Sequence, residues 1–233
     1  MPPLFQSVGD VVAGLAALDR QFRSTQDLRG LFVTAYVATT GTIAQWIDRG
    51  IFLDNPAMAR YIVAFANEYR YSLAHSVAGR RSRIPIAWQQ SFDACEERSA
   101  SIFQCLMLGI NAHINRDLPY AVIAAGVDPD GSGCYQDYVR IDDVLRLNMR
   151  PVRRRIADVY GHKLPLIQRW FGELATAQID RSFRRDRKQS WEFARMLSAA
   201  KTEAARAEVD RAIEERAAAE GQKILGIRRA VAA

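Results

Sequence analysis

The chain has 233 residues, 49% of them hydrophobic, which is enough for one globular domain or for a domain with a tail. Its 32 basic and 26 acidic residues give a net charge of +6, which permits an anionic partner but does not by itself favour a nucleic-acid-binding function. Without a run of ~18 apolar residues or a signal-peptide pattern, the sequence predicts no transmembrane segment and a cytoplasmic location.

The first third of the sequence has the apolar spacing of three helices. The first is predicted over residues 8–23, with Asp19 on its exposed face. The second runs from 28 to about 49, and the third begins at an Asp-Asn-Pro start signal and runs over about 56–78. An arginine-rich loop is expected at 79–85.

The rest of the sequence also reads as helical. Residues 86–125 are predicted to be mostly helix, and the glycine-rich segment 126–133 is predicted to be a loop. A helix over 135–160 and a shorter one over about 166–179 follow. The segment 190–233 is rich in alanine and in alternating charges, a pattern typical of a long, largely exposed helix.

These patterns predict an all-α fold without a sheet of three or more strands. We expect a single multi-helix bundle with a buried central helix at about 100–125 and a long C-terminal helix. Residues 1–189 would form the helical domain, and residues 190–233 would pack on that domain or on a partner chain. In the second case the C-terminal helix would hold a homodimer together.

The central helix contains the most unusual string of the sequence, GINAHINRDLP at residues 109–119. Apolar residues flank it on both sides, and no charged residue occurs between Arg98 and Arg116. A polar group left unpaired in such a helix costs about 1–3 kcal/mol, so each one requires a partner. The polar residues concerned are Asn111, His113, Asn115 and Asp117.

The spacing of these residues predicts two polar pairs on opposed faces. With a 100° step per residue, His113 and Asp117 lie within about 40° of each other, and so do Asn111 and Asn115. We expect His113 to be an acid/base or a metal ligand, with Asp117 orienting it or sharing a metal, and both to face an internal cavity. Asn111 and Asn115 would bind polar groups of a substrate. Pro119 is expected to kink or end the helix.

Three further residues complete the predicted site. Asp137 begins the helix after the 126–133 loop and should lie near Asp117, at the mouth of the cavity, as a carboxylate partner or third metal ligand; the alternative is that it only stabilises the N-terminus of its own helix. Arg116 and Tyr69 are candidates for substrate binding. If a metal is used, we expect one divalent ion with oxygen-rich coordination, because the chain has only three histidines.

Two resemblances accompany these motifs. The 109–119 string resembles the signature of a bacterial family of uncharacterised helical proteins, labelled only as a domain of unknown function, and the similarity covers about residues 25–200. The element His113-x-x-x-Asp117-Leu118 is similar to the H-x-x-x-D-[IL] element of helical zinc phospholipase C and single-strand nuclease enzymes. The second resemblance implies metal ligation by His113 and Asp117.

The sequence thus leaves three functions open. The first is an enzyme that acts on a small molecule, as a metal-assisted hydrolase. The second is a metal-free isomerase or cyclase in which His113 is the proton shuttle of an aromatic-lined cavity. The third is a non-enzymatic helical interaction protein. The aromatic residues considered for the cavity are Tyr36, Trp46, Tyr61, Phe65, Tyr69 and Trp88.

Overall fold

The computed structural model describes residues 4–131, 133–160 and 173–227, which are helical and contain no strand, as the periodicity predicted. A short 3₁₀ turn covers Arg81–Arg83, and a π-helical segment covers Ala112–Asp117. The α-helices are α1 (Val8–Ser24), α2 (Gly30–Asp48), α3 (Asn55–Val77), α4 (Ile86–Glu96), α5 (Ile102–Asn111), α6 (Leu118–Ala124), α7 (Cys134–Tyr160), α8 (Glu173–Ala199) and α9 (Glu203–Gly226).

Local capping interactions define where several of these helices begin. Ser7 and Asp10 form a capping box at α1, and Ser101 and Gln104 form another at α5. Asp54 accepts a hydrogen bond from the backbone amide of Ala57 at the start of α3. These side chains satisfy amide groups that the helices leave unpaired, so the starts are specified by the sequence itself.

The stretch predicted as one helix over 86–125 is divided. α4 ends at Glu96, and Arg98 adopts a positive φ of 51° before α5 starts. Pro119 does not end the helical stretch that begins with α5. Proline lacks the N–H needed for the α-helical bond to the carbonyl of Asn115, and the preceding turn widens instead. The amide of Leu118 donates to the carbonyl of His113, five residues back, and α6 then continues.

This composite helix, α5 with the π-helical segment and α6, runs through the centre of the bundle. α2, α3, α4, α8 and α9 all pack against it. Gly109 permits the contact with α2, because a Cβ at this position would lie 2.6 Å from Cβ of Phe32. The first glycine of the 109–119 string is therefore explained by close helix packing.

The C-terminal part consists of two long helices. α8 runs continuously across residue 189, the predicted domain boundary. α9 packs on α4, α5 and the π-helical segment of its own chain through a narrow stripe of one residue per turn. Residues 161–172, which include His162 and the beginning of the helix predicted over 166–179, lie outside the described residues. The buried stripe of α9 consists of Val209, Ile213, Ala217 and Gly221.

Asp19 departs from its predicted exposed position. Its carboxylate is 1% exposed and accepts a hydrogen bond from Thr34 of α2 at 2.6 Å. Arg23 and Arg155 pair with the other carboxylate oxygen, at 3.3 and 3.2 Å. The charge is buried because α1, α2 and α7 converge on it and supply partners, which periodicity within α1 alone could not indicate.

Candidate functional site

The π-helical segment presents a buried histidine–aspartate pair. Nδ1 of His113 lies 3.1 Å from Oδ2 of Asp117, which is fully buried. Nε1 of Trp88 in α4 donates to the same oxygen at 2.9 Å, and Nη1 of Arg116 donates to Oδ1 at 3.1 Å. The carboxylate is thus held by three donors, and its position fixes the imidazole ring.

The protonation state of His113 follows from these contacts. Burial lowers the pKa of His113, and this effect outweighs the opposing influence of Asp117, so the imidazole is neutral near pH 7. We assign the ring proton to Nδ1, because the Asp117 carboxylate can only accept. Nε2 then carries the free lone pair. This arrangement, a neutral imidazole oriented by a buried carboxylate, is the one required of a general base.

Aromatic rings enclose the imidazole. Phe65 stacks on it with ring centroids 3.5 Å apart and planes inclined by 10°. Tyr36 and Phe32 meet it edge-on, at centroid distances of 4.5 and 5.2 Å. These contacts keep the ring in one orientation and in an environment of low dielectric constant, which favours its neutral form.

His113 lies in the wall of a cavity of about 570 Å³ that is partly open to solvent. α2, α3, the α5–π segment, α7 and α8 all contribute to this wall, and most of the lining side chains are apolar. Volumes of 300–1,000 Å³ are typical of small-molecule sites, as is an apolar lining with a few polar groups. Of the six aromatic residues predicted for the cavity, Tyr36, Tyr61 and Phe65 line it, whereas Trp46, Tyr69 and Trp88 do not.

Three polar atoms of this wall are buried without a hydrogen-bond partner among the described residues: Nε2 of His113 and the hydroxyls of Tyr36 and Tyr61. Burial raises the pKa of both tyrosines, so both hydroxyls stay protonated and can donate. Arg187 lies near enough to oppose this rise at Tyr61 but does not meet hydrogen-bond geometry with its hydroxyl. Because buried polar groups are normally paired, three unpaired ones in one wall point to a ligand.

The other predicted pair, Asn111 and Asn115, lies elsewhere. Nδ2 of Asn111 donates to the carbonyl of Ala217 in α9 at 2.9 Å, and its Oδ1 accepts from Nδ2 of Asn115, also at 2.9 Å. Neither asparagine lines the cavity. The structure therefore does not place them for the predicted binding of substrate; Asn111 attaches α9 to the central helix instead, and Asn115 donates to Asn111.

Two glutamines extend this attachment along α9. Nε2 of Gln90 donates to the carbonyl of Ala218 at 3.2 Å. Nε2 of Gln104 lies 2.9–3.2 Å from the carbonyls of Ile224, Leu225 and Ile227, at the end of the helix. The Gln104 amide thus binds carbonyls at the end of α9, where a helix leaves its carbonyls unpaired, whereas Gln90 binds a carbonyl in the middle of the helix.

Arg116 and Tyr69, the two remaining candidates for substrate binding, are also engaged in packing. Arg116 forms ion pairs with Glu68 of α3 at 2.5 Å and with Glu214 of α9 at 3.2 Å, in addition to its contact with Asp117. Tyr69 is 1% exposed, with its ring against Phe32 and Trp88. Neither residue is part of the cavity wall.

Asp137 does not join the histidine–aspartate pair. Its two carboxylate oxygens accept the backbone amides of Leu53 and Asp54, both at 2.8 Å, just before α3. The predicted pairing with Asp117 fails because these unpaired amides hold the carboxylate at a different helix end. Within the described part of the chain, no three His, Cys, Asp or Glu residues are grouped as a metal site.

Sequence patterns did not predict the contacts that several further residues make in and around the site. Trp88 was considered as a lining residue, but its indole binds Asp117 instead. Asn148 lines the cavity and bonds to Thr42, whereas Arg150 and Arg187 line it from α7 and α8. The placement of these residues depends on how α4, α7 and α8 cross the central helix, which leaves no local sequence signal.

With this geometry established, comparisons with known proteins place the chain. The family model described as a family of unknown function, DUF5995, matches residues 8–227. The chain belongs to the DUF5995 family. The resemblance inferred from the 109–119 string to a family of helical proteins of unknown function is confirmed. No curated protein and no solved structure matches this DUF5995 chain. None of the helices in its described part has the length and apolar character to cross a bilayer.

Proposed function

We propose that this protein is an enzyme that moves a proton on the apolar part of a small molecule held in the aromatic-lined cavity. Of the functions considered, this is the metal-free isomerase or cyclase. The observation that carries the proposal is the buried, unpartnered Nε2 of His113 in the wall of a ligand-sized cavity. Asp117, which orients the ring through Nδ1, is a positioning residue.

The proposed chemistry assigns one role to each unpaired group. Nε2 of His113 takes a proton from a carbon next to a carbonyl, while the C–H electron pair shifts toward the carbonyl oxygen as an enol or enolate. Tyr36 or Tyr61 donates a hydrogen bond to that oxygen, since both remain protonated. Where a C=C bond adjoins the carbon that lost the proton, the anion is a dienolate; the imidazolium returns the proton to its far carbon, the C=C bond moves into conjugation with the carbonyl, and the product is an isomer of the substrate.

The metal-assisted hydrolase is less well supported by the arrangement of the side chains. Nδ1 of His113 is engaged with Asp117, both carboxylate oxygens of Asp117 accept other donors, and Asp137 binds the start of α3. The three ligands proposed from the sequence are therefore not assembled around one point.

Deuterium exchange tests the proposal without knowledge of the substrate. The protein is incubated in D₂O with a panel of apolar ketones, enones and 3-oxo acids, and deuterium incorporation is followed by mass spectrometry. We expect incorporation above the blank for at least one compound class, and a loss of about 10²–10⁴-fold in His113→Gln, the range typical of general bases. Equal exchange in the wild type and this variant would contradict the proposal.

His75→Gln is the matched control, because His75 is a histidine of α3 that does not line the cavity. It should retain the wild-type exchange rate. Absence of incorporation for every class, with both variants folded, would instead favour the non-enzymatic interaction protein.

The cytoplasmic location and the homodimer remain predictions. α9 uses its buried stripe and the Asn111 contact within its own chain, so a dimer through this helix must use its remaining face. Light scattering coupled to size-exclusion chromatography measures this directly: a mass of one chain contradicts the homodimer.

A further inference from the structure

The cavity has a second chemical character beyond its aromatic wall. Along α7, apolar residues line it at helical spacing, at Ile141, Leu145 and Val152. Arg146 and Arg150, one turn apart on the same helix, also belong to the lining. α7 therefore carries an apolar stripe and a cationic stripe side by side along one cavity.

The lining arginines differ in how fully they are neutralised. Arg187 is buried and is satisfied by Asp142 and by the carbonyl of Tyr138, both at 2.6 Å. Arg146 pairs with Asp143 at 2.9 Å, but both side chains are more than half exposed, so the pair is weakly held. Arg150 is exposed and forms no ion pair within the described residues.

We propose that the cavity binds an amphipathic anion, with its carboxylate or phosphate head group on Arg150 and Arg146 and its apolar body against the aromatic wall. Arginine matches both head groups, because its guanidinium forms bidentate hydrogen bonds with carboxylate and with phosphate. The lining acid, Asp180, is itself paired with Arg184 at 3.0 Å, which leaves the cationic stripe in excess.

The shape of the cavity agrees with an elongated ligand. Ile141 and Val152 both line it, and at 1.5 Å rise per residue they are about 16 Å apart along α7. On α2 the lining likewise extends from Phe32 to Ile43. This inference rests on the same cavity as the proposed function and names its substrate class: the head group fixes the molecule, and the reaction occurs on its apolar body.

Titration calorimetry with three probes of equal chain length tests the inference: decanoate, decyl phosphate and 1-decanol. We expect each anion to bind at least about tenfold more tightly than the alcohol, the ratio that one charge-assisted hydrogen bond supplies. The stronger of the two anions identifies the head group. Equal affinity for decanol and both anions, or binding of none of the three, would overturn the proposal.

Arg150→Gln should weaken the binding of the preferred anion about tenfold and leave the affinity for decanol unchanged. The matched control is Arg154→Gln, since Arg154 is exposed on the same helix but is not part of the cavity wall. Circular dichroism and thermal melting confirm that both variants are folded. Equal effects of the two substitutions would show a general charge effect and contradict the assigned site.

This result and the exchange experiment can fail independently. Anion binding through Arg150 without His113-dependent exchange would sustain the ligand class and refute the proposed reaction. His113-dependent exchange without a preference for anions would support the proposed reaction and refute the proposed ligand class.

Discussion

Two faces of one central helix carry buried polar residues and use them differently. On the face toward the cavity, His113 leaves Nε2 unpaired in the same wall as the unpaired hydroxyl of Tyr36. On the face toward α9, Asn111 uses both ends of its amide, although Oδ1 of its neighbour Asn115 stays unpaired. Burial alone therefore does not distinguish a polar residue that faces the cavity from one that only joins two helices. The two differ in whether a cavity lies beside the unpaired atom.

The substitution with the largest expected effect on stability is Asp117→Asn, because it breaks the network behind the cavity face. An amide at this position cannot accept from His113, Trp88 and Arg116 together and has no charge to offset Arg116. Breaking a buried ion pair costs about 3–5 kcal/mol, and we expect a loss near the lower limit because Arg116 keeps Glu68 and Glu214. Urea unfolding measures the change.

Glu220→Gln is the control for a carboxylate in an exposed pair, with Lys223 in α9. Its unfolding free energy should stay within about 0.5 kcal/mol of the wild type. A similar loss of unfolding free energy in both variants would show that the buried carboxylate of Asp117 stabilises the protein no more than an exposed one does.

The sequence was sufficient to predict the long helices and the pairing of His113 with Asp117 on the central helix. Periodicity identified the long helices, and the i, i+4 spacing placed His113 beside Asp117. Both are local properties, determined by residues within one or two turns of each other. The family resemblance came from the same local string and was equally accessible.

Interactions between distant elements were not predictable in this way. Asp137 binds amides 83 and 84 residues away, and Asn111 binds a carbonyl 106 residues away. The π-helical turn before Pro119 depends on a balance between α-helical and wider hydrogen bonding that composition does not show. Sequence patterns thus identified buried polar residues but not their partners, and the partners decide which ones are structural.

The next largest effect is expected at Gly109, where the central helix meets α2. A Cβ at this position would lie 2.6 Å from Cβ of Phe32, an atom next to the backbone that cannot rotate away. Gly109→Ala should cost about 1–3 kcal/mol of stability, in spite of the better helix propensity of alanine. It should also disturb ligand binding, because Phe32 lines the cavity.

Gly41→Ala in α2 is the matched control, because nothing lies within 4 Å of a Cβ there. Helix propensity should then stabilise the protein by about 0.5–1 kcal/mol. If both substitutions shift the melting temperature in the same direction, the close packing of α5 on α2 is not as described.

On the opposite face, Asn111→Ala separates attachment of α9 from chemistry. The substitution removes the bond to the Ala217 carbonyl and leaves the Asn115 amide without its acceptor, at a cost of about 1–2 kcal/mol. Anion affinity and His113-dependent exchange should stay within about twofold of the wild type, a change below 0.5 kcal/mol. A large loss of either, with the variant still folded, would mean that the two faces act as one site.

The smallest effect, and the most specific to the cavity face, is in the pH dependence of stability. Burial lowers the pKa of His113 in the folded protein, against an ordinary value of about 6.5 in the unfolded chain. Below about pH 6.5 the histidine is protonated in the unfolded chain but still neutral in the folded protein. The contribution of His113 to the free energy of unfolding is therefore complete above pH 6.5 and is lost as the pH falls through the lowered pKa of the folded protein. One proton corresponds to a slope of about 1.4 kcal/mol per pH unit at most. Between pH 7 and pH 5, the free energy of unfolding in urea should therefore decrease more in the wild type than in His113→Gln.

Asn111→Ala is the control because it removes no titratable group, and its unfolding free energy should change with pH as the wild type's does. An equal change in all three proteins would mean that His113 is not held neutral by its surroundings.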